Sequence, residues 1–583
     1  MRVRRAQIFK FRHRLSAVAI GLLLAVSGLA VAENTAAVVD SYAGSSANGA
    51  GAVASVHPLA TKAGLDVLEK GGNAIDAAVA VALTLGVVDS HNSGIGGGAF
   101  ALVHFADGDI AALDGREVAP ALAHRDRYLR DGSIDTSLSK IGALAIAVPG
   151  SLAIFDALIT SSGRMSLKDL LLPAADLAEQ GFAFSVAGSR RLQATAASIA
   201  EFPTSAAILL DSKAQPWPAG HILKQADLAK TYRAIAEQGI EYFYSGGFAE
   251  AVDEWMKNNN GLVRLEDFAN YQWLQRQPLS SQYRGYEVIG FPPPSSGGVH
   301  VAQILNMLGH YDIAKLSDQD RYHLLAEAMK IAFADRAFFL GDPGFVDVPK
   351  GLIDVDYARQ LTEQISFEKS NDNIEHGKPP GADIDLFGKH TTHISTADKW
   401  GNWVSITTTV NTSFGSKVII PGTGVVMNNQ MDDFAILPKV ANAFGLLGGE
   451  ANNIQAGKRP LSSMSPTLLL KDGKPVMSLG AAGGPTIITQ VVQALVNWID
   501  LGMDLEQALA AARIHHQWQP DVTFIEQSLA DVTKASLQQR GHKLHSRSYM
   551  GATQAISLSY NNLFEAVTEP RVILQNTPEF SPE

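Results

Sequence analysis

Residues 367–389 form a polar stretch that contains glycine and proline and has no hydrophobic period, so they are the best linker candidate in the chain. Helical spacing dominates before this stretch, for example over residues 323–339, and β-rich runs follow it directly. Helical spacing then returns over residues 487–512. Because both halves combine strands with helices, the pattern predicts an α+β fold in which helices lie outside packed sheets.

A β-hairpin is predicted directly after the linker. Residues 392–398 and 402–409 are β-rich, and the turn between them centres on Trp400. In that register position 391 pairs with position 409, so the hydroxyl groups of Thr391 and Thr409 would face each other on one side of the hairpin. Threonine is also a favourable strand residue in general, and periodicity alone favours that ordinary explanation.

The run from Gly94 to Ala99 has the spacing G-x-G-x-x-A, and Asp114 follows at about the distance that a dinucleotide-binding fingerprint requires. The surrounding pattern is in the wrong order, however. A helix capped by Asn73 is predicted before the glycines and a strand after them, whereas the fingerprint needs a helix N-terminus after the glycines to hold a pyrophosphate. We therefore expect close backbone packing at these glycines and no cofactor.

Two further features are weak by themselves. Gly483 and Gly484 lie between a predicted strand and a helix that is expected to begin near Thr486. Two successive backbone N–H groups at such a place can form an oxyanion hole, although an ordinary turn is the better explanation for an isolated pair of glycines. Arg116 follows the second strand of an earlier predicted hairpin, and a lone arginine is most often a solvated surface residue.

Neither pair of neighbouring histidines has a spacing that suits a metal ion. His390 and His393 are three residues apart, so they would point to opposite faces of an extended strand. His515 and His516 are adjacent, and neither pair has the glutamate of an H-E-x-x-H motif. We expect solvated or core histidines and no metal site.

The overall composition excludes several classes of protein. The chain has no cysteine, which excludes disulfides, thiolate metal sites and a cysteine nucleophile. Lys and Arg number 47 against 58 Asp and Glu, which gives a formal net charge of -11. So acidic a chain is a poor candidate for general nucleic-acid binding, and no nucleic-acid partner is expected.

The N-terminus has the three parts of a secretory signal peptide. Positions 2–14 hold six basic residues and no acidic residue, an apolar run covers positions 15–29, and Ala30-Val-Ala32 follows. The apolar run is shorter than the roughly 20 residues that a membrane span needs, so an uncleaved anchor is the lesser alternative. We expect residues 1–32 to be removed and the mature protein to be periplasmic, without stable membrane association.

Several longer motifs resemble those of the γ-glutamyltranspeptidases, also called γ-glutamyltransferases. The resemblance covers essentially all of residues 55–520, with the motifs in order. The runs that carry it are Gly94-Ile-Gly-Gly-Gly98, Asp114-Gly-Arg-Glu-Val-Ala-Pro120, Pro293-Pro-Ser-Ser-Gly-Gly298, Thr391-Thr-His-Ile-Ser-Thr-Ala-Asp-Lys-Trp-Gly-Asn402, Val410-Asn-Thr-Ser-Phe-Gly415, Met427-Asn-Asn-Gln-Met-Asp-Asp-Phe434 and Lys458-Arg-Pro-Leu-Ser-Ser-Met-Ser-Pro-Thr467.

The resemblance implies the fold of the N-terminal-nucleophile hydrolases, an αββα four-layer sandwich, and a precursor that cleaves itself between His390 and Thr391. The products would be a large subunit, residues 33–390, and a small catalytic subunit, residues 391–583, which together form one intertwined domain. Thr391 would be both nucleophile and base, because a free α-amine has a pKa of about 8. The other catalytic residues implied are Thr409, which hydrogen-bonds the nucleophile, and the oxyanion-hole glycines Gly483 and Gly484.

The same resemblance implies the ligands of a γ-glutamyl group. Its α-carboxylate would be bound by Arg116, Ser462 and Ser463. Its α-amine would face Asn411, Gln430 and Asp433. The chemistry agrees, because a guanidinium suits a carboxylate and a carboxylate suits an ammonium. The expected substrates are glutathione and other γ-glutamyl compounds, with water, amino acids or dipeptides as acceptors.

Three positions depart from the pattern of the family. Pro485 follows the two glycines where members often have serine, and a proline there can shift the start of the next helix. Residues 568–571 read Thr-Glu-Pro-Arg where the family has Asp-Pro-Arg. In the lid loop of residues 438–449, Phe444 stands where tyrosine is common, which keeps the ring and loses a hydroxyl.

Two alternatives to a γ-glutamyltransferase stay open. The nearer one is a cephalosporin acylase that uses the same Thr391. Arg116 and Asp433 argue against it, because a glutaryl side chain lacks the α-amine that Asp433 would meet. The other is an exported binding protein that has lost catalysis and would keep the glutamate pocket without self-cleavage.

Overall fold

The computed structural model describes residues 41–377, 392–436, 442–446, 450–559 and 561–577. They belong to one compact unit, Asp40–Glu583. The predicted signal peptide, residues 1–32, and the predicted nucleophile Thr391 both lie outside the described residues. Within the described ranges, no helix is both long and apolar enough to cross a membrane.

The strands of the described residues are, in chain order, Ala43–Ser45 (β1), Gly51–Ala54 (β2), Gly98–His104 (β3), Ile110–Gly115 (β4), Leu129–Arg130 (β5), Ser133–Ile134 (β6), Phe182–Ala183 (β7), Ile222–Leu223 (β8), Leu274–Arg276 (β9), Leu279–Tyr283 (β10), Tyr286–Gly290 (β11), Thr392–Asp398 (β12), Trp403–Thr409 (β13), Thr467–Lys471 (β14), Lys474–Ala482 (β15), Ile514–His515 (β16), Thr523–Glu526 (β17), Leu544–Arg547 (β18), Ala552–Leu558 (β19) and Phe564–Thr568 (β20).

The α-helices of the same residues are Pro58–Glu69 (α1), Ala74–Val88 (α2), Ser151–Ser162 (α3), Leu167–Gln180 (α4), Val186–Ile199 (α5), Pro203–Leu209 (α6), Ala226–Gln238 (α7), Glu241–Tyr244 (α8), Gly247–Asn258 (α9), Leu265–Ala269 (α10), Gly297–Leu308 (α11), Asp318–Phe339 (α12), Val355–Thr362 (α13), Thr486–Ile499 (α14), Leu505–Ala510 (α15), Asp531–Gln539 (α16) and Pro570–Gln575 (α17).

Two large sheets pack face to face at the centre of the molecule. The first has seven strands in the order β1-β2-β12-β13-β3-β4-β9, and the second has six in the order β10-β11-β14-β15-β19-β20. Strands β12 and β13 of the first sheet contact β15 of the second, and the rings of Phe100 and Phe291 stack between the sheets at 4.1 Å. Apolar side chains from both inner faces therefore form one core layer.

Helices cover the outer face of each sheet. Helices α2 and α3 pack on β12, β13 and β3, while α11 and α14 pack on β11 and β15. Every residue of α2 is buried, which suits a helix that is apolar on all sides. The side chain of Asn73 caps it as predicted, accepting hydrogen bonds from the N–H groups of Ile75 and Asp76. The order helix, sheet, sheet, helix confirms the predicted αββα sandwich.

The hairpin of β12 and β13 has the predicted register. Thr392 pairs with Thr408 and His393 with Thr407, and the turn lies around Trp400. The predicted pair of Thr391 with Thr409 would come next, but Thr391 lies outside the described residues. Both strands are buried along their whole length because the second sheet covers one face and helix α2 covers the other.

Candidate active site

Thr409 ends the central strand β13 at the point where the chain turns away from the sheet. Its Oγ1 accepts a hydrogen bond of 2.8 Å from the N–H of Asn411. Asn411 has a φ of +77°, a conformation that asparagine tolerates better than most residues, and this sharp turn brings its side chain back beside the strand end. Thr409 thus follows Thr408, the residue that pairs with Thr392 at the start of β12.

Gly483 and Gly484 form the loop between β15 and α14. Their φ values are +128° and +63°, which favour glycine, and a Cβ at Gly483 would lie 2.5 Å from Thr486 Oγ1. The hydrogen bonds described for them use their carbonyl groups, which accept from the Thr486 hydroxyl and the Ile487 N–H. Helix α14 begins at Thr486 as expected, so Pro485 precedes its first turn without displacing it.

Arg116 lies directly after β4 and is fully buried, so the surface position expected of a lone arginine is wrong. Its Nη2 donates to Asp433 Oδ2 and, at 3.1 Å, to the carbonyl of Leu461. Its Nε donates to the carbonyl of Pro460 at 3.0 Å. The structure therefore joins the predicted carboxylate ligand and the predicted amine ligand in one ion pair, in a site from which water is excluded.

Gln430 bonds Asp433 of this pair, and both Gln430 and Asn411 have a buried amide oxygen. Gln430 Nε2 donates to Asp433 Oδ2 at 2.6 Å, and Asn411 Nδ2 donates to the carbonyl of Asn429 at 2.9 Å. Both partners only accept hydrogen bonds, which fixes the orientation of the two amides. Asn411 Oδ1 and Gln430 Oε1 are then left as acceptors with no donor among the described residues. Buried acceptors in this state are unfavourable unless a ligand supplies the donor.

Ser462 and Ser463 are also fully buried and lie on the segment that supplies the carbonyl groups for Arg116. Ser462 Oγ accepts from the N–H of Met464 at 3.0 Å. Ser463 Oγ accepts from Arg336 Nη2 at 2.7 Å. We call the six residues predicted to bind the γ-glutamyl group the ligand cluster: Arg116, Asn411, Gln430, Asp433, Ser462 and Ser463.

Arg336 is a residue of this region that the sequence reasoning missed. It lies on α12, is fully buried, and its Nε donates to Ser296 Oγ at 2.7 Å. Burial lowers the pKa of Arg336 to about 9, although the nearby charge of Asp433 opposes the shift. The available signal was an arginine beside the apolar residues of the second half of α12, since an arginine that is buried there needs polar partners.

A cavity of about 310 Å³ opens beside Thr392, the first residue of β12. We call it the Thr392 cavity. Asp89 lies in its wall, where Oδ2 accepts from Thr392 Oγ1 at 3.1 Å and Oδ1 accepts from Asn92 Nδ2 at 2.9 Å. Burial raises the pKa of Asp89 to about 7, and the positive charge of Arg191 partly offsets this. Asn411 and Gly483 also line the cavity, which connects it to the predicted catalytic and ligand residues.

The described part of the lid loop lies over this cavity. Phe444 is half-buried and lines it, and the carbonyl of Phe444 accepts from Gln517 Nε2 at 3.4 Å. The N–H of Ala443 donates to Asp432 Oδ2 at 3.0 Å, so the loop is attached next to Asp433. Residues 437–441 and 447–449 of the loop region lie outside the described residues.

The histidines of the predicted pairs have structural contacts. His393 is buried between the sheets, with Nδ1 2.9 Å from Thr407 Oγ1, and His515 Nδ1 lies 3.0 Å from Thr489 Oγ1. His390 lies outside the described residues.

A different trio, His323, Glu327 and His542, is compact enough to hold a cation. His323 Nδ1 and His542 Nε2 lie 2.7 Å apart, within hydrogen-bonding distance of each other. Lys330 Nζ bonds Glu327 Oε1 at 3.0 Å. The cluster is thus already satisfied by protein groups.

Comparison with known proteins gives a consistent result. Residues 60–577 match the model of the Gamma-glutamyltranspeptidase family. The glutathione hydrolase proenzyme of Escherichia coli (strain K12) is 41% identical over 527 residues, which cover 90% of this chain and 90% of that protein. The acylase ACY 1 proenzyme of Pseudomonas sp. (strain V22) is 40% identical over 505 residues, which cover 85% of this chain and 87% of that protein.

A solved structure agrees with the fold described above. Cephalosporin acylase from Bacillus halodurans has a TM-score of 0.81 and 29% sequence identity, covering 90% of this chain and 94% of that chain. The family model spans most of the chain, and the relatives match it over nearly their whole length. The chain therefore belongs to the gamma-glutamyltranspeptidase family and is an enzyme with the N-terminal-nucleophile hydrolase fold.

Proposed function

We propose that this enzyme cleaves itself between His390 and Thr391 and then acts as a γ-glutamyltransferase and glutathione hydrolase. The large subunit would be residues 33–390 and the small catalytic subunit residues 391–583. Family membership supports the proposal, and so does the place of position 391 directly before the central strand β12. Residues 1–32 would be removed as a signal peptide on export to the periplasm.

The observation that carries the substrate assignment is the pair of unsatisfied amide oxygens. Asn411 Oδ1, Gln430 Oε1 and the Asp433 carboxylate are all hydrogen-bond acceptors, and the proposal assigns them to the three N–H bonds of the substrate ammonium. Arg116 bonds Asp433 and the carbonyl of Leu461, directly before Ser462 and Ser463, and the proposal assigns its guanidinium to the substrate carboxylate. An ammonium and a carboxylate on one carbon are what the α-end of a γ-glutamyl group supplies.

The proposed reaction assigns each predicted catalytic residue one step. Thr391 Oγ forms a bond to the γ-carbonyl carbon while its proton passes to the α-amine of the same residue. The N–H groups of Gly483 and Gly484 donate to the resulting oxyanion, and the hydroxyl of Thr409 orients the nucleophile. The C–N bond then breaks, the proton goes to the departing amine, and a γ-glutamyl ester remains. Water or the amine of an acceptor attacks this ester and regenerates Thr391.

An acylase is the competing function, and acylases occur among the relatives at 40% identity. A glutaryl group has the terminal carboxylate of a γ-glutamyl group but no α-amine. It would leave Asn411 Oδ1 and Gln430 Oε1 without donors, at a cost of about 1–3 kcal/mol for each buried group. We therefore expect the enzyme to prefer γ-glutamyl over glutaryl substrates.

The test of self-cleavage uses Thr391→Ala. Wild type should run on a denaturing gel as two pieces and hydrolyse a γ-glutamyl anilide, whereas the variant should stay one chain and be inactive, since it has no side-chain hydroxyl to attack either carbonyl. Thr392→Ala is the matched control, and it should still be cleaved. A Thr391→Ala chain that processes normally would show that Thr391 is not the nucleophile.

A further inference from the structure

Helix α5 forms one wall of the Thr392 cavity and is held there by contacts with the C-terminal helix α17. Ser185 caps α5 by accepting from the N–H of Gly188 at 3.0 Å. The N–H of Ala187 donates to Asn576 Oδ1 at 3.1 Å, and Arg190 Nη1 donates to the carbonyl of Gln575 at 3.1 Å. These contacts fix the first turns of the helix.

Arg191 lies on the face of α5 that lines the cavity. It follows Ala187, another lining residue, by four positions, so the two side chains share one face of the helix. Among the described lining residues, Arg191 is the one lysine or arginine and Asp89 the one aspartate or glutamate. Arg191 is half-buried, and none of the described residues accepts a hydrogen bond from its guanidinium.

The electrostatics of the cavity make Arg191 its main positive charge. The positive charge of the guanidinium lowers the pKa of Asp89 and also that of His91, so it interacts electrostatically with both side chains. Burial lowers the pKa of His57 to about 4 and that of His91 well below its usual range, so both rings are neutral at neutral pH. A half-buried guanidinium with no hydrogen-bonded partner is suited to bind an anion from solution.

We propose that Arg191 binds the free carboxylate of the amine that leaves the donor and of the amine that attacks the γ-glutamyl ester. This inference rests on the proposed function. Cysteinylglycine, amino acids and dipeptides all carry a carboxylate beyond the reacting nitrogen, whereas water and an aniline do not. Thr392 and Gly483 line the same cavity, so it adjoins the place where that nitrogen would bind or leave. Its volume of about 310 Å³ is at the lower end for a small-molecule site.

The experiment compares two acceptors that differ only in this carboxylate. Glycylglycine and glycylglycinamide are each given to the wild-type enzyme with a γ-glutamyl anilide as donor, and kcat/KM for the acceptor is measured. A charge-assisted contact predicts that wild type prefers glycylglycine by about 10- to 100-fold. Arg191→Gln should reduce this preference to near unity. Arg191→Lys should keep part of the preference, because lysine keeps the positive charge but cannot form the bidentate hydrogen bonds of a guanidinium.

Arg127→Gln is the matched control, since it removes the same charge from an exposed position that does not line the cavity and should keep the preference for glycylglycine. An unchanged preference in Arg191→Gln, or equal use of both acceptors by wild type, would overturn the assignment. If Arg191→Gln fails to fold or to self-cleave, Arg191→Lys and the wild-type ratio decide the question. A wild type that hydrolyses the donor but shows no carboxylate preference refutes this inference alone, whereas one that does not hydrolyse the donor at all refutes the proposed function with it.

Discussion

The ligand cluster and the Thr392 cavity meet at Asn411, yet they satisfy their charges in opposite ways. In the cluster, the cation of Arg116 and the anion of Asp433 are fully buried and bond each other. In the cavity, Asp89 and Arg191 face an open space and make no ion pair with each other among the described contacts. The cluster is thus preorganised for one charge pattern, whereas the cavity can admit ligands of different size.

Because of this difference, we expect the cluster and the cavity to recognise different parts of the substrates. A donor must present one fixed end, the α-carbon with its two charges, and a tightly packed cluster suits such a constant group. The leaving amine and the acceptor vary, and a cavity with one available guanidinium suits groups that share only a carboxylate. Changes in the cluster should therefore abolish activity toward γ-glutamyl donors, while changes in the cavity should alter acceptor choice or stability.

The largest effect is expected in the cluster. Arg116→Ala removes the ion-pair partner that bonds Asp433 directly and removes the proposed donor for the α-carboxylate. Losing one partner of a buried, hydrogen-bonded charge pair costs about 2–5 kcal/mol, which is roughly 30- to 4000-fold in kcat/KM. Turnover of γ-glutamyl and glutaryl anilides measures the loss, and both should fall because both carry the carboxylate.

Self-cleavage of the Arg116→Ala chain, followed on a gel, serves as the check on folding. Cleavage should persist because the scissile bond needs Thr391 rather than the substrate carboxylate. A variant that cleaves itself and keeps wild-type kcat/KM would show that Arg116 does not contact the donor.

A smaller effect is expected on stability in the cavity. The raised pKa of Asp89, about 7 against an ordinary 3.8, means that the folded chain holds a proton that the unfolded chain releases. The stability contributed by this group is therefore full below pH 3.8 and is lost as the pH rises toward 7, by at most about 1.4 kcal/mol per pH unit. Asparagine does not titrate, so Asp89→Asn should remove this pH-dependent loss of stability. Relative to the same chain with Asp89, the variant should become more stable as the pH rises from 5 to 7.

The measurement is the urea midpoint at pH 5, 6 and 7, made on the uncleaved Thr391→Ala chain so that a single polypeptide unfolds. Asp66→Asn is the control, because Asp66 forms an exposed pair with Lys62 and such pairs contribute little. If Asp89→Asn and its parent show the same pH dependence, the proton on Asp89 does not govern stability in this range.

The smallest effect is expected at the lid. Phe444 lines the cavity and has no hydroxyl with which to bond across it, so packing holds its ring in place. Phe444→Tyr adds that hydroxyl and should change the ratio of transfer to hydrolysis by a few-fold while self-cleavage continues. The ratio is read from product analysis with a γ-glutamyl anilide and glycylglycine. An unaltered ratio would mean that the ring does not gate the entry of water or acceptor.

Local patterns predicted the parts of the fold that depend on neighbouring residues. The hairpin register that pairs Thr392 with Thr408, the Asn73 cap and the start of α14 at Thr486 all follow from turn residues and strand or helix spacing. The pairing of positions far apart in the chain required either the resemblance or the structure. Periodicity says nothing of the contact between Arg116 and Asp433, since it depends on how β4 and a distant loop pack together.

The same limit explains which charged residues were missed. Arg336 and Asp89 look like ordinary members of a helix and a loop in the sequence, and their importance comes from burial against elements hundreds of residues away. Arg116 by itself resembled a surface arginine for the same reason. Burial of a charge is a tertiary property, so the motifs could place these residues only where a related family had already placed them.

The central claim is that the ligand cluster binds the α-amine of a γ-glutamyl donor, and Asp433→Asn tests it most directly. The change keeps the size of the side chain and removes the charge that would face the ammonium. The measurement is kcat/KM for matched γ-glutamyl and glutaryl anilides on wild type and on the variant. Wild type should prefer the γ-glutamyl anilide. The variant should lose most of that preference, because only the γ-glutamyl anilide has an ammonium that the Asp433 charge would contact. A wild type that prefers the glutaryl anilide, or a variant in which both substrates fall equally, would contradict the account and favour an acylase.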